Sequence, residues 1–419
     1  MERTITGSKN RISASIWEST CKKILLAQME KLVHGRLTIL AEDSSISFGV
    51  ESDDFPVSVH LHVINPAFYP KVVLGGTIGA GESFMDGDWE TDNLAGLVRI
   101  MVRNREVMEG MDSGISLLKK PFWALFHAFN RNTRAGSERN IAAHYDLGND
   151  FFEKFLDPTM MYSCAYFPDS KTNLHEASIA KLERICRKLD LKEGDRVVEI
   201  GTGWGAFAVH AAKNYGCHVT TTTISQNQYD RACRLVSEAG LDNKVTVLKE
   251  DYRDLKGNYD KLVSIEMIEA VGAQYLGTYL EKCSNLLHDD GMMLIQAITI
   301  NDQFYDEAVR SVDFIKRYIF PGSFIPSVSA IVEAMKGYTD LRLFHLEDLT
   351  PHYVRTLQNW NANFQTNSNA ISAMGYNDAF MRMWEFYFRY CEGGFEERQI
   401  GCAHLVFTKQ QNRVTGLNY

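Results

Sequence analysis

The segment DKLVSIEMIEAVG, residues 260–272, places two carboxylates directly after an apolar run. Val263 and Ile265 are typical of a buried strand, and Glu266 and Glu269 follow at once. A desolvated carboxylate is costly unless it is paired, hydrogen-bonded or used in a reaction. Near a helix start either acid could cap free backbone N–H groups, and in an active site either could face a cofactor or a developing charge. The residues alone leave both roles open.

A second pattern, VVEIGTGWGAF, places Gly201, Gly203 and Gly205 where a strand would turn into a helix. Glycines there let the backbone approach a ligand closely at the carboxyl edge of an α/β sheet. The spacing could serve a dinucleotide, but that site needs an acidic residue about 20 positions further on. The next strand ends in the threonines of 220–223, which disfavours an NAD-linked dehydrogenase. Glu199, two residues before the first glycine, matches the usual arrangement of class I methyltransferases that use S-adenosylmethionine (SAM).

Strands and helices alternate from about residue 190 onward, and these elements must position the side chains above. Five apolar runs, separated by amphipathic segments near 206–214, 226–239 and 275–287, predict βαβ units and a parallel sheet covered on both faces. The runs are RVVEIG (196–201), CHVTTTT (217–223), KVTVLKE (244–250), DKLVSIE (260–266) and GMMLIQAI (291–298). With the glycine turn and Glu199, they predict an α/β fold that resembles the class I SAM-dependent methyltransferases, and this resemblance implies a seven-stranded, mostly parallel, Rossmann-like sheet.

The N-terminal residues, to about 110, lack this alternation. Their short apolar runs are separated by Asp, Pro and Gly, which is typical of a small β-rich module, and a helix is predicted near LAGLVRIMVR. The runs are LTILAE, ISFGV, VSVHLHVI and KVVLGG. We therefore predict a smaller N-terminal β-rich/α domain.

Composition limits the class of protein. A chain of 419 residues with 45% hydrophobic residues suggests two or three domains, and a net charge of −9 disfavours a nucleic-acid binder. Eight cysteines without a C-x-x-C pair predict free thiols in a reducing cytoplasm and no metal site. Without an apolar leader or a run of 18 uncharged apolar residues, neither export nor a membrane span is indicated. Any membrane contact would be peripheral.

One basic and aromatic segment, LLKKPFWALFHAFNRNTR at 117–134, suits such a contact. Its Phe, Trp and Leu residues alternate with Lys and Arg, as in helices that lie in the membrane interface. A helix that packs two domains together would have the same composition. Both interpretations stay open.

Upstream of the glycine turn, IAAHYDLGNDFFEKFLDPTMMYSCAYFPDS occupies residues 141–170. Together with VVEIGTGWG, TTISQNQ, EDYRDL, SIEMIEAVG and FIKRYIFPG, it resembles the cyclopropane fatty acid synthase family. The similarity extends from GESFMDGDWE at 81 to VFTK at 406–409. It implies a SAM-dependent methyltransferase that adds a one-carbon bridge across the cis double bond of an acyl chain, usually in a membrane phospholipid. It also implies a cytoplasmic enzyme, peripherally associated with the inner face of the membrane, and a homodimer.

The resemblance assigns SAM contacts to four motifs. They are Tyr162 and Ser163 of MYSCAYF, Gly201 and Gly203 of the glycine turn, Thr223 and Gln228 of TTISQNQ, and Asp251 and Tyr252 of EDYRDL. In this assignment Thr223 and Gln228 replace the missing ribose acid. From the residues alone, the last four would be ordinary loop or capping side chains.

The resemblance also implies a bound bicarbonate that removes a proton when the ring closes. In the family it is held by a cysteine, a glutamate, a histidine, a tyrosine and a backbone group, and here Cys164 and Glu269 match the first two. Gln296 stands at the histidine position and Asn361 at the tyrosine position, while Cys391 matches a later family cysteine. Glutamine and asparagine donate hydrogen bonds but do not titrate near neutral pH, so ring formation is the first expectation rather than the only one.

Two alternatives remain. The acyl cation could lose a different proton and give a methyl-branched or methylene product, or the chain could be an inactive, lipid-binding member of the fold. We predict three parts: a β-rich module (1–115), an amphipathic linker (116–140) and a catalytic domain with acyl-binding insertions (141–412). YIFPGSFIPS (318–327) and FMRMWEFYFRYCEGGF (380–395) are predicted walls of an acyl tunnel.

Overall fold

A computed structural model describes residues 15–41, 44–105 and 147–416 of the protein. These residues form two compact units: the described residues up to 105 with 377–386, and 147–376 with 387–416. The segment 117–134, the linker 116–140 and the first residues of the 141–170 motif lie outside the described residues, and the three domain boundaries stay predictions. The helices of the described ranges include none with the length and apolar content needed to cross a bilayer.

The first unit contains a small sheet. Its strands, in the order β2–β1–β3–β4, pair antiparallel except for β1 and β3, which run parallel. The elements are α1 (Ile16–Met29), β1 (Arg36–Ala41), β2 (Ser44–Phe48), β3 (Ser58–Val63), α2 (Phe68–Met85), β4 (Trp89–Thr91) and α3 (Leu94–Arg103). In β3, buried Val59, Leu61 and Val63 alternate with exposed His60 and His62, as expected for a strand with one covered face. Three of the four predicted runs are strands, and the helix near LAGLVRIMVR is confirmed.

The strand prediction for KVVLGG is wrong, because these residues lie in the helix Phe68–Met85. Phe68, Val72 and Val73 are spaced so that they share one helix face, and all three are buried. A short apolar run does not distinguish a strand from a buried helix by itself. The helix is interrupted at Gly76, whose φ of 55° and ψ of −137° are not helical.

The second unit is built on a larger sheet. Its strands are β5 (Arg196–Ile200), β6 (His218–Thr222), β7 (Val245–Leu248), β8 (Tyr259–Ile265), β9 (Leu287–Ile300), β10 (Arg342–Asp348) and β11 (Ile400–Thr408). The order is β10–β11–β9–β8–β5–β6–β7, with the last five parallel to one another and β11 antiparallel to both of its neighbours. The five predicted strands and the seven-stranded, mostly parallel sheet are confirmed.

Helices precede and separate these strands in the chain. They are α4 (Asn149–Phe152), α5 (Leu174–Lys188), α6 (Ala206–Tyr215), α7 (Gln226–Glu238), α8 (Leu276–Asn285), α9 (Tyr305–Arg310), α10 (Val328–Tyr338), α11 (Thr350–Thr366), α12 (Ser368–Ala373) and α13 (Asp378–Glu396). The three predicted amphipathic helices correspond to α6, α7 and α8.

The parallel strands are buried on both faces, which explains their nearly continuous apolar sequences. Val198 and Leu262 belong to one core cluster, whereas Val197 and Val263 belong to the other. The sheet therefore separates two cores and presents the carboxyl ends of β5, β6, β7 and β8 along one edge, where ligands bind in open α/β sheets.

Candidate active site

The glycine turn joins β5 to α6 in a conformation that favours glycine. Gly201, Gly203 and Gly205 have φ angles of 94°, 52° and 96°, which side-chain-bearing residues rarely adopt. A Cβ atom on Gly203 would meet no described atom within 4 Å, whereas one on Gly201 would lie 3.1 Å from Met267 Cγ. The Thr202 hydroxyl is buried and has no hydrogen-bond partner among the described residues. An open side and an unused hydroxyl fit a cofactor held against this turn.

The turns after β5, β6 and β7 are joined by backbone hydrogen bonds. Thr202 N–H donates to the Thr222 carbonyl (2.9 Å), and Thr223 N–H donates to the Leu248 carbonyl (3.1 Å). The Thr223 hydroxyl donates to Gln228 Oε1 (2.8 Å), and both side chains are buried. The topology thus brings the glycine turn and the TTISQNQ motif together.

The EDYRDL motif follows β7. The Asp251 carboxylate accepts two hydrogen bonds from the Arg253 guanidinium, 2.7 Å to Oδ1 and 2.6 Å to Oδ2. The ring of Tyr252 packs edge-on against Tyr279 at 5.3 Å, and burial raises the pKa of Tyr252 to about 12. Asp251 is therefore held in place by an arginine, and Tyr252 is a neutral aromatic surface.

Tyr162 and Ser163 lie in the loop before α5. Tyr162 donates its hydroxyl hydrogen bond to the Tyr387 hydroxyl (3.1 Å), and its ring lies 5.2 Å from that of Trp360. The Ser163 hydroxyl accepts from Lys181 Nζ (2.6 Å). Lys181 is fully buried, and this burial lowers its pKa, although the nearby carboxylates partly oppose the shift.

Glu266 lies at the centre of a polar cluster at the end of β8. Its Oε1 accepts from the Cys164 backbone N–H and from Gln296 Nε2, both at 2.8 Å, and its Oε2 accepts from the Tyr353 hydroxyl at 2.7 Å. The Cys402 thiol also lies 3.8 Å from Oε1. Burial raises the pKa of Glu266, and these hydrogen bonds oppose the shift. Its φ of 49° costs about 1–2 kcal/mol in a residue other than glycine.

Gln296 connects this carboxylate to a second buried chain. Its Nε2 also donates to the Cys164 carbonyl (3.1 Å), and its Oε1 lies 2.9 Å from His404 Nε2. With the proton on Nε2, His404 donates to Gln296 and accepts from Lys188 Nζ at Nδ1 (3.0 Å). Burial, with the charge of Lys188, holds the pKa of His404 well below its usual range. His404 is therefore neutral and fixes the orientation of the glutamine amide.

Glu269 lies one short helical turn beyond Glu266. Its Oε1 accepts from the Ile298 backbone N–H at 2.5 Å, and its Oε2 is buried with no partner among the described residues. Burial, and next the charge of Glu266, raise the pKa of Glu269 to about 8. At neutral pH it therefore holds a proton, unlike an ordinary glutamate.

The remaining predicted residues do not join the hydrogen bonds of this cluster. Asn361, in α11, is buried with an unpartnered Oδ1 among the described residues, and burial raises the pKa of Cys391 in α13. Cys164 contributes its backbone, whereas its thiol faces the carbonyls of Ala165 (3.3 Å) and Leu349 (3.9 Å).

Bicarbonate does not fit among these donors. The Cys164 N–H and the Gln296 amide, from two residues predicted to hold bicarbonate, both donate to Glu266, and so does the Tyr353 hydroxyl. A second anion at the same place would meet a carboxylate instead of free donors. Two of the groups predicted to hold bicarbonate thus donate to a side chain of the protein itself.

Aromatic rings surround Tyr162 and Tyr353. Phe320, from the predicted tunnel segment 318–327, lies 6.1 Å from the Tyr162 ring, and Phe395 stacks on Tyr353 at 4.3 Å. Such faces stabilise a dry cation by roughly 0.5–2 kcal/mol each and exclude water. The surroundings therefore suit a reaction that develops positive charge on a hydrocarbon.

Sequence reasoning missed Tyr353, His404 and Lys181, and it assigned no catalytic role to Glu266. Tyr353 precedes Trp360 by two helical turns, a spacing that places both on one face of α11. His404 lies opposite Gln296 in the antiparallel pairing of β9 and β11. The helical spacing was visible in the sequence, whereas the strand register was not.

Comparison with known proteins links these features to one family. A family model described as mycolic acid cyclopropane synthetase matches residues 132–405. The chain is 36% identical to the cyclopropane-fatty-acyl-phospholipid synthase of Escherichia coli over 351 residues, 83% of this chain and 87% of that relative. It is 37% identical to the tuberculostearic acid methyltransferase UfaA1 of Mycobacterium tuberculosis over 328 residues, 76% of each.

A solved structure extends the similarity to three dimensions. The mycolic acid cyclopropane synthase CmaA1, complexed with SAH and CTAB, is 31% identical and aligns with a TM-score of 0.61. The alignment covers 65% of this chain and 98% of that chain. The predicted fold class and the resemblance are both confirmed.

Proposed function

Because the chain belongs to the mycolic acid cyclopropane synthetase family and is a SAM-dependent methyltransferase, we propose that it cyclopropanates phospholipids. The substrate is the cis double bond of an unsaturated acyl chain, to which a one-carbon bridge is added. One observation supports this most directly. Met267, which lies between Glu266 and Glu269 in the chain, has its Cγ 3.1 Å from the position of a Cβ on Gly201, so the acidic turn at 266–269 lies against the glycine turn.

Bound SAM supplies an electrophilic methyl group on a sulfonium. The glycine turn, with Thr202, Thr223 and Gln228, would hold it at the carboxyl edge of the sheet. An alkene is a weak nucleophile, and alignment in a water-free site is worth up to about 7–11 kcal/mol. Tyr162, Trp360 and their aromatic neighbours provide such surroundings and stabilise the positive charge that moves onto the acyl chain. Ring closure then requires a base for one proton of the transferred methyl group.

The test uses the full chain, labelled SAM and vesicles of a phospholipid with cis-monounsaturated acyl chains. We expect label in the lipid and upfield cyclopropane proton signals in its NMR spectrum. Vesicles of the saturated phospholipid serve as the control and should remain unlabelled. Absence of label from the unsaturated lipid would contradict the proposed function.

A second candidate has the same donor but no ring. The 37% identity to a tuberculostearic acid methyltransferase favours it, since that relative is named for methylation of a fatty acid. The same NMR spectrum separates the candidates, because a methyl-branched or methylene chain lacks the upfield ring protons. A labelled lipid without these signals would favour the second candidate.

We further propose that the enzyme is a cytoplasmic homodimer that contacts the inner face of the membrane peripherally. A phospholipid substrate lies in a bilayer, and the composition of 117–134 suits the membrane interface. Vesicle co-sedimentation and light scattering test the two parts separately. A monomer in solution, or a chain that stays in the supernatant with anionic vesicles, would contradict the corresponding part.

A further inference from the structure

We propose that Glu266 takes the place of a bound bicarbonate and is the base that removes the proton when the cyclopropane ring closes. The inference rests on the proposed function, because it assigns one step of that reaction. It concerns a residue that the family motifs do not assign.

The first argument is the convergence of donors. The Cys164 N–H comes from the loop before α5, the Gln296 amide from β9 and the Tyr353 hydroxyl from α11, and all three donate to Glu266 within 2.8 Å. Three donors from separate segments, pointed at one place, form a site for an anion. Here the occupant is covalently part of the chain.

The second argument is the backbone. Glu266 is held at a φ of 49°, in the left-handed region where glycine is favoured. Strained residues of this kind are found where the surrounding structure imposes the conformation, and they cluster at functional sites. At the end of β8, this conformation brings the carboxylate to the three donors.

The third argument identifies which carboxyl group carries the charge. Glu266 has three donors, whereas Glu269 has one donor and an unpartnered oxygen among the described residues. A raised pKa of about 8 for Glu269 agrees with this division. Paired carboxyl groups in unequal surroundings divide into an acid and a base, and Glu266 is the base.

The carboxylate also has room for the proton. A carboxylate offers about four lone-pair sites. Oε2 accepts one hydrogen bond among the described residues, from Tyr353. In the proposed step a C–H bond of the transferred methyl group breaks, and its electron pair forms the C–C bond that closes the ring. The proton goes to Glu266 Oε2 and returns to solvent before the next turnover.

Gln296 completes the arrangement. Its amide donates to Glu266 without titrating, and neutral His404 holds its oxygen. The glutamine at the family's histidine position thus donates a hydrogen bond to a carboxylate of the protein itself.

The experiment compares two variants of the full chain in CO2-depleted buffer with and without added bicarbonate. Glu266→Gly empties the anion position and also suits the left-handed backbone. Glu266→Gln keeps the position filled with a group that accepts no proton, so it is the matched control. SAM binding is measured by titration for each protein, and product formation on unsaturated phospholipid vesicles is measured by label and NMR.

We expect a wild-type rate that does not depend on bicarbonate. Both variants should bind SAM and lose about 10²–10⁴-fold in rate, as expected for removal of a general base. Bicarbonate should restore ring formation in Glu266→Gly but not in Glu266→Gln.

The proposal is overturned if the wild-type rate requires bicarbonate, if either variant keeps the wild-type rate without it, or if bicarbonate fails to raise the rate of SAM-binding Glu266→Gly. If Glu266→Gly does not bind SAM, the proposal is tested by the rates of the wild type and of Glu266→Gln. It is then overturned if the wild-type rate requires bicarbonate or if Glu266→Gln keeps the wild-type rate. A wild-type protein that transfers no label to the lipid would instead refute the proposed function.

Discussion

Two turns lie at the same edge of the sheet and are built in different ways. They are the glycine turn after β5, residues 201–205, and the acidic turn after β8, residues 266–269. The glycine turn is made of consecutive residues, 201–205, whose own φ angles define its shape. Glu266, in the acidic turn, depends on Cys164, Gln296 and Tyr353, which are 102, 30 and 87 positions away in sequence. The cofactor side of the site is therefore encoded locally, whereas the side that handles the proton exists only after the chain has folded.

The largest effect should come from blocking the glycine turn. Gly203→Val would place a side chain in the open space beside the turn, and we expect loss of SAM binding and of activity. Gly240→Val is the matched control, because Gly240 has a φ of 66° and similarly open surroundings but lies between α7 and β7. Both variants carry a similar backbone cost, about 1–2 kcal/mol. Isothermal titration with SAM measures the binding of each variant. An equal loss of binding in both variants would contradict a specific role of the glycine turn in holding SAM.

A second variant should separate chemistry from cofactor binding. Glu269→Gln replaces the protonated carboxyl group beside Glu266 by a neutral amide. Because Glu269 takes up no proton in the proposed step, we expect kcat to fall by less than about 10²-fold, the lower end for removal of a general base, while the Kd for SAM is unchanged. The exposed Glu281→Gln in α8 is the control and should keep wild-type kinetics. Equal losses of SAM affinity and of rate in Glu269→Gln would contradict the separation of cofactor binding at the glycine turn from proton transfer at the acidic turn.

The last effect is on stability rather than on activity, and it concerns a buried carboxyl group on the cofactor side. Burial raises the pKa of Glu199 to about 8, and the Thr221 hydroxyl donates to it. The pKa of this carboxyl group is about 4.3 in the unfolded chain and about 8 in the folded protein. At pH values between the two, the folded state holds a proton that the unfolded state has lost. Its contribution to stability is therefore complete at low pH and declines as the pH rises through this window.

Glu199→Gln removes that proton. The free energy of unfolding of the variant minus that of the wild type should therefore increase by about 1.4 kcal/mol for each unit by which the pH rises within the window. Urea unfolding at a series of pH values measures the difference. Parallel pH profiles for the two proteins would mean that Glu199 is not a buried proton carrier.

The same contrast explains what the sequence could predict. The five parallel strands and the glycine turn follow from local periodicity and spacing, and they are present. KVVLGG lies in a helix although a strand is predicted there, because a short apolar run fits both the strand and the helix period. Gln296 is visible in the sequence as a departure from the family's histidine, but its partners, Glu266 and His404, follow from the pairing of β9 with β8 and β11. Strand register between distant segments is a tertiary property that no local pattern contains.

The antiparallel strand β11 also has a consequence for folding. His404 meets Gln296 across 108 positions of chain, whereas the turns after β5, β6 and β7 join over short separations. Contacts between distant segments form late, because the entropy of closing a long loop must be overcome first. A refolding chain should therefore recognise its methyl donor before it is able to complete the reaction.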